Sequence, residues 1–236
     1  MFKVASATVL LLGAVAYSTF IHEALLGFPL SPAVSYLSEY SALSSPYRPI
    51  FATSDVIWAL CSFAGAGLLW FLHRPRLGIA HKLLLFALAG QALFTLLDVA
   101  FPLPCAESLP SCTGETGLTV HVAASVAVAA MQMLVVVTAA FLAVRLHHYR
   151  AWFVALMVVY LVATVVLLAG EAFGYPVGYS QRVQIGVAAT TVATVWLLFS
   201  YDAKDVDSSS RMGVPAHRLP PALFRLPRGS RADVDR

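Results

Sequence analysis

Charged side chains are scarce in this chain: they make up 11% of its 236 residues, whereas 59% of the residues are hydrophobic. Soluble domains carry about 25% charged residues, so this chain has too few polar groups to cover a water-facing surface. Asparagine is absent, and only three lysines occur. We interpret that bias as the codon usage of a GC-rich bacterial genome, which makes the plasma membrane the expected location.

Common enzyme motifs are also missing. The chain contains no phosphate-binding loop, dinucleotide fingerprint, HExxH zinc motif or serine nucleophile elbow. The only basic segment with the charge to bind nucleic acid is the C-terminal tail, which has no predicted fold. We therefore expect no cofactor, no metal and no nucleic-acid partner. The partner that the composition does predict is the lipid bilayer.

Six apolar runs are long enough to cross a bilayer as helices, which takes about 20 residues. None alternates as a barrel strand does, so we predict an all-α, integral membrane bundle of six transmembrane helices. The first run has some features of a secretory signal, and we expect it to be retained as the first span. The runs cover residues 4–21, 50–72, 83–100, 118–144, 152–170 and 183–201.

The chain divides into two predicted parts. Residues 1–201 form the transmembrane domain, and residues 202–236 form a tail rich in Ser, Pro, Asp and Arg. Because the tail has few apolar residues and no periodicity, we predict that it is disordered. Its bases either lie against anionic headgroups or are simply solvated, and we favour the second interpretation.

Charge separates along the predicted topology. With the N-terminus inside, the chain before the tail carries six bases on the inner side and two, Arg48 and Arg182, on the outer side. The positive-inside rule therefore predicts a multi-pass protein with both termini in the cytoplasm. The acids before the tail all fall on the outer side or in the outer half of a helix: Glu23, Glu39, Asp55, Asp98, Glu107, Glu115 and Glu171.

Two of the three cysteines lie in the outer loop between the third and fourth spans. Cys105 and Cys112 are seven positions apart, and Pro110 between them favours a turn. An oxidising compartment then makes them a candidate disulfide. A metal site is the alternative, although two thiols without a nearby histidine are a poor ligand set.

Several ionisable side chains are predicted at similar depth near the outer interface. Such residues are costly within a bilayer and have functional or pairing roles. In a six-helix bundle they can converge on one pocket, where they would perform acid–base chemistry, hold a metal or receive a cationic group. The alternative is that they only pair the helices, at about 0.6 kcal/mol per contact. The ligand-binding candidates are Glu39, Asp55, Asp98, His121 and Arg182.

Three short motifs of the chain resemble those of one known family. Residues 35–47, which include Glu39, are similar to the Ser-(Glu/Asp)-Leu-Gly-Ala loop that follows the first helix of the domain-of-unknown-function 998 membrane proteins. Gln181-Arg182 resembles its Glu/Gln-Arg pair at the start of the last helix. Its Phe-Pro, Thr, Gly and His junction between helices three and four is matched here by Phe101-Pro102, Thr113, Gly117 and His121.

The resemblance covers about residues 5–200, which is all of the chain except the tail. It implies the same six-helix architecture and a shared polar pattern at Glu39, Asp98, His121 and Arg182. It implies no reaction, because the family has no established activity.

Three classes of function follow from these observations. We favour a helical bundle that binds a lipid or small ligand in an acidic outward-facing pocket, or that serves as an accessory subunit beside a membrane-protein partner in an envelope complex. The second class is an outer-leaflet lipid-modifying enzyme in which His121 works with Asp98 or Asp55, which requires a separation of about 3–5 Å. The third is a cation-coupled transporter, which requires a polar path past Asp55 and Gln132 to the other side.

Overall fold

The computed structural model describes residues 2–113 and 119–199, and these residues form α-helices, short 3₁₀ turns and loops. The predicted all-α class is therefore confirmed. The predicted tail at 202–236 lies outside the described residues. The helices are α1 (Phe2–Tyr17), α2 (Thr19–Leu25), α3 (Arg48–His73), α4 (Ile79–Ala100), α5 (Val120–Leu146), α6 (Arg150–Phe173) and α7 (Gly178–Thr194). The 3₁₀ turns are Leu37–Ser41, Arg74–Arg76 and Val195–Phe199.

The helices make the chain a multi-pass membrane protein. Helices α3 to α7 are each long and apolar enough to cross a membrane, in two cases together with the 3₁₀ turn that follows. The pair α1 and α2 supplies a sixth span if it is counted as one. This pair is bent by 44°, whereas the sequence predicted one continuous run. At the bend the Ser18 hydroxyl donates a 2.9 Å hydrogen bond to the Ala14 carbonyl, a local bond that competes with helix continuation.

Helix ends follow local chemistry. Pro49 stands in the first turn of α3, where its missing N–H costs nothing. Helix α4 ends just before Pro102, because proline disfavours helical backbone at the residue before it. The Thr119 side chain caps α5 by accepting a 3.2 Å hydrogen bond from the Val122 amide. Gly174, at φ 73°, ends α6 in the left-handed conformation that glycine tolerates.

The spans form a closed ring in which neighbours pack in the order α1, α3, α4, α5, α6 and α7, and α7 returns to α1. The interior of the ring is filled with fully buried apolar side chains. Much of the outer circumference is apolar and exposed, as a surface in contact with lipid requires. The central packing includes Leu10, Trp58, Leu69, Leu84, Leu88, Val136 and Val192.

Charge is segregated between the two ends of the ring, as the sequence predicted. One end, which we call the polar end, is where α3, α5 and α7 begin and α4 and α6 finish. It carries Glu23, Glu39, Asp55, Asp98, Glu107 and Glu171 with Arg48 and Arg182, while Glu115 and Gly117 lie outside the described residues. The opposite, basic end carries Arg74, Arg76, Lys82, Arg145 and Arg150.

Candidate functional site

Arg182, in the first turns of α7, is the centre of a closed hydrogen-bond cluster at the polar end. Its Nε donates to Glu23 Oε2 at 2.7 Å and its Nη2 donates to Glu23 Oε1 at 2.5 Å. Its Nη1 donates to the carbonyls of Ser35 and Gly178 at 2.8 and 2.9 Å. Glu23 is 0% exposed, so this bidentate pair is a buried salt bridge between α2 and α7.

The same cluster fastens the long loop before α3 to the bundle. Tyr40 donates to Glu23 Oε1 at 3.0 Å, and its hydroxyl accepts from the Leu30 amide at 3.0 Å. Gly178 donates its amide to the Ala33 carbonyl at 2.9 Å, and a Cβ at this glycine would lie 2.4 Å from the Pro32 carbonyl oxygen. Residues 30–41, which we call the cover, are therefore held tightly against α2 and α7.

Glu39 stabilises the cover from within. Its Oε1 accepts from the Tyr36 amide at 2.8 Å, which caps the 3₁₀ turn. Its Oε2 accepts from the Ser108 amide and hydroxyl at 2.9 and 2.5 Å. Ser108 belongs to the loop closed by the Cys105–Cys112 disulfide, which the structure contains. Glu39 is 2% exposed and fully engaged, so it joins two loops.

Beneath the cover, a cavity of about 440 Å³ extends into the ring. Residues 36–38 of the cover form part of its wall, the loop after α4 contributes Leu103 and Glu107, and side chains from α1 to α7 form the rest. Much of this wall is apolar, with Phe51, Leu103, Val122, Leu167 and Ile185 among its residues. The ionisable side chains that line it are Asp55, Asp98, Glu107, His121 and Glu171.

Asp98, near the end of α4, contacts two side chains at the start of α5. Its Oδ1 lies 3.3 Å from His121 Nδ1 and accepts a 2.5 Å hydrogen bond from the Ser125 hydroxyl. His121 and Ser125 share one face of α5 because they are one helical turn apart. His121 Nδ1 also lies 3.4 Å from the Asp98 backbone carbonyl oxygen, so both groups of Asp98 position the imidazole. Such a pair is suited either to acid–base chemistry or to holding a polar ligand group.

Asp55, on α3, lines the same cavity and interacts electrostatically with Asp98. No hydrogen bond to its carboxylate is found within residues 2–113 and 119–199. Thr95 also lines the cavity, is only 4% exposed and has no partner for its hydroxyl in that part of the chain. Unlike the Arg182 cluster, the cavity therefore presents polar groups that remain free to bind.

The bottom of the cavity is closed. Gln132 donates to the Tyr17 hydroxyl at 2.6 Å and accepts from the Tyr160 hydroxyl at 3.3 Å. Ser62 and Gln91 lie deeper and are buried without side-chain partners among the described residues. Below them the ring is filled by apolar side chains such as Leu69 and Leu84. The cavity lining does not include Ser62, Gln91 or any base of the basic end.

The rim of the cavity has a polar side and an apolar side. Tyr36 of the cover donates to Glu171 at the end of α6, and burial together with this hydrogen bond raises the pKa of the Tyr36 phenol. On the apolar side, Val126 of α5 and Leu168 of α6 line the cavity although they are 63% and 61% exposed. The cavity is thus open laterally between α5 and α6.

The structure brings three of the five predicted ligand-binding residues together, because Asp55, Asp98 and His121 line one cavity. Glu39 and Arg182 instead hold the cover.

Sequence reasoning missed Glu23 as the partner of Arg182, and no local pattern links residues so far apart. The polar residues Thr95 and Gln132 lie within apolar helices, and this pattern in the sequence could have indicated how deep the cavity extends.

No group of three or more His, Cys, Asp or Glu side chains within residues 2–113 and 119–199 is arranged to hold a metal ion. Asp55, Asp98 and His121 thus line one cavity without forming such a group. These three side chains are suited to hydrogen bonding, charge pairing and proton transfer.

Comparison with known families agrees with the resemblance noted in the sequence. The family described as "Protein of unknown function (DUF998)" matches residues 10–198, and the chain belongs to this family. No curated protein and no solved structure matches the chain. The family description states no activity, so a function has to be argued from the site.

Proposed function

We propose that this member of the DUF998 family binds an amphiphilic ligand, a lipid or a lipid-like molecule, in the cavity at its polar end. The observation that carries the proposal is a 440 Å³ cavity with mostly apolar walls and a few convergent polar groups. Volumes of about 300–1,000 Å³ with this division of polarity are typical of small-ligand sites.

The lateral opening between α5 and α6 supports a lipid over a water-soluble ligand. Val126 and Leu168 are exposed on the outside of the ring and also line the cavity. An acyl chain lying between them would remain in contact with the bilayer while the polar group of the ligand enters the ring. In this arrangement the apolar surface of the chain is never exposed to water.

We assign the polar contacts of the ligand to Asp55, Asp98 and His121. Glu39 and Arg182 act indirectly by holding the cover, whose Tyr36, Leu37 and Ser38 form part of the cavity wall. Leu37 is itself anchored, since its amide donates to Gln181 Oε1 at 2.7 Å.

We also propose that the polar end faces outward from the plasma membrane, with both termini in the cytoplasm. The bases at the opposite end and the disulfide at the polar end support this orientation. Residues 1–201 would then be the membrane domain and residues 202–236 a disordered cytoplasmic tail. A membrane-impermeant biotin reagent that reacts with thiols tests the orientation. A cysteine that replaces exposed Leu109 should react in intact cells, and one that replaces exposed Ile79 should not. The reverse labelling would contradict it.

Lipid binding is tested by narrowing the lateral opening. Leu168→Trp places a large ring at the opening, whereas Val165→Trp adds the same ring to an exposed site on the same helix away from the cavity lining. Native mass spectrometry of the purified protein should detect lipid retained by the unmodified chain and by Val165→Trp, and much less retained by Leu168→Trp. Equal retention by the two variants would contradict the proposal.

A second candidate function is an enzyme that modifies outer-leaflet lipids. The observation that favours it is the 3.3 Å contact between His121 Nδ1 and Asp98 in the cavity, the separation that acid–base chemistry requires. Incubating the purified protein with a bacterial lipid extract would reveal a new lipid mass that is lost with His121→Gln. If the protein retains lipid but converts none of it, the enzyme function is contradicted and only the binding function is supported.

A further inference from the structure

We propose that the ligand of the cavity carries a single positive charge, an ammonium group on a lipid or lipid-like amine, and that Asp55 is its counter-ion. The inference rests on the proposed function and narrows the class of the ligand. Its grounds are the charge of the cavity lining, the pairing of each charged group and the aromatic side chains beside Asp55.

The charge of the lining excludes anionic ligands. Four acids and one histidine face the cavity in the described part of the chain, and no lysine or arginine does. Arg182, the nearest guanidinium in sequence to the lining residue Gln181, directs its donors to Glu23, Ser35 and Gly178. A phosphate monoester or a free carboxylate would therefore enter without a cationic partner, at a large desolvation cost.

Inside the ring, Asp55 is the cavity carboxylate for which the described residues provide no partner. Glu107 has none among them either, but it lies exposed at the rim. Asp98 already has His121 and Ser125 beside it, and Glu171 accepts from Tyr36. A carboxylate among apolar walls is stabilised by an opposite charge, which the cation of the ligand would supply in the complex. One such carboxylate matches one positive charge.

Two further features favour an ammonium group over other cations. Phe51 and Tyr17 line the cavity with Asp55, and aromatic faces attract ammonium groups through their quadrupole. Thr95 supplies an independent sign of a ligand, since its buried hydroxyl lines the cavity without a partner in the described residues. The lone pairs of that oxygen attract a positive charge whether or not the cation carries an N–H.

The experiment compares photo-crosslinkable probes that share one alkyl chain and differ in headgroup: trimethylammonium, glucoside or sulfate. The full chain is placed in nanodiscs of a neutral glycolipid with each probe at trace level, and labelling is quantified by mass spectrometry. We expect the ammonium probe to label at least about tenfold more than the glucoside, and the sulfate least. Asp55→Asn should reduce ammonium labelling about tenfold, so that the ratio of ammonium to glucoside labelling falls toward one.

Two variants serve as controls. Glu107→Gln removes the same charge at the exposed rim, where solvent screens it, and should change ammonium labelling less than about twofold. Asp55→Glu keeps the charge and should keep the ammonium preference even if packing changes. Loss of that preference in Asp55→Glu would overturn the assignment of Asp55.

The other outcomes separate this inference from the proposed function. Equal labelling by the ammonium and glucoside probes would overturn the cationic ligand and leave lipid binding intact. No labelling by any probe would overturn both. If free choline competed as strongly as unlabelled alkyltrimethylammonium, the lipid class would be overturned. The alkyl chain of the ligand would then contribute nothing to its affinity.

Discussion

Two polar regions lie side by side at one end of this bundle, and they differ in how completely their side chains are paired. In the Arg182 cluster, Glu23, Tyr40 and Arg182 have partners for their charged and hydroxyl groups. In the cavity, Asp55 and Thr95 have none within the described residues. Acids of the same type thus hold the fold in one region and are available to a ligand in the other, and only the set of partners distinguishes them.

The largest expected effect is on the Arg182 cluster. Glu23→Gln leaves the Arg182 guanidinium buried without its counter-charge, and breaking such a pair costs about 3–5 kcal/mol. We expect a strongly lowered unfolding temperature, measured by the helical circular dichroism signal of the protein in detergent.

A double variant sharpens this prediction. Glu23→Gln combined with Arg182→Met removes both charges, and replacing a whole buried pair is often nearly neutral. The double variant should therefore melt above Glu23→Gln. If the single variant melts like the unmodified protein, the cluster does not hold the fold, and the contrast with the cavity fails.

A smaller effect concerns alkaline pH. Burial, with the nearby charge of Glu23, raises the pKa of Tyr40 from 10.0 to about 12. The neutral phenol therefore stabilises the fold fully below pH 10, and this contribution is lost as the pH rises through 12. Tyr40→Phe should cost about 1 kcal/mol at neutral pH for its lost hydrogen bonds and should show a shallower fall in melting temperature between pH 10 and 12. Parallel curves for the two proteins would exclude this role for Tyr40.

The smallest effect distinguishes a free hydroxyl from a paired one. Thr191 is 0% exposed and donates to the Val187 carbonyl at 2.8 Å, whereas Thr95 is equally interior and unpaired among the described residues. Thr191→Val should cost about 0.5–1.5 kcal/mol, and Thr95→Val should be neutral or stabilising. Chemical unfolding of both variants measures the difference. A greater loss for Thr95→Val would mean that its hydroxyl is engaged.

Much of the fold was predictable because the bilayer imposes it. Five predicted runs correspond to helices that can each cross a membrane, and the first corresponds to the bent pair α1 and α2, since length and apolarity decide whether a segment can cross. The bend at Ser18 was not predictable from the apolar run. Its side-chain bond to the carbonyl four residues earlier also occurs at Thr164 and Thr191 within unbroken helices. The predicted start of the last span at residue 183 differed from the observed Gly178, since polar side chains such as Gln181 and Arg182 are helical and face the cover.

The site was only partly predictable. Asp55, Asp98 and His121 are ionisable residues in or at the ends of apolar helices, and they line the same cavity in the structure. The partner of Arg182 depends on the ring closing α7 onto α1 and α2, which periodicity does not specify. The sequence likewise identifies Glu39 as an acid in a long loop. Its bond to Ser108 depends on how two loops pack together, which the sequence pattern does not specify.

The most direct test of the central claim compares the melting temperature of Asp55→Asn with that of the unmodified protein, with and without the alkyltrimethylammonium probe. A ligand that binds the native state raises the melting temperature, and the rise is larger when it binds more tightly. We predict that Asp55→Asn alone melts at or above the temperature of the unmodified protein and loses the shift that the probe causes. A variant that melts far below the unmodified protein, or that keeps the full probe-induced shift, would contradict the account.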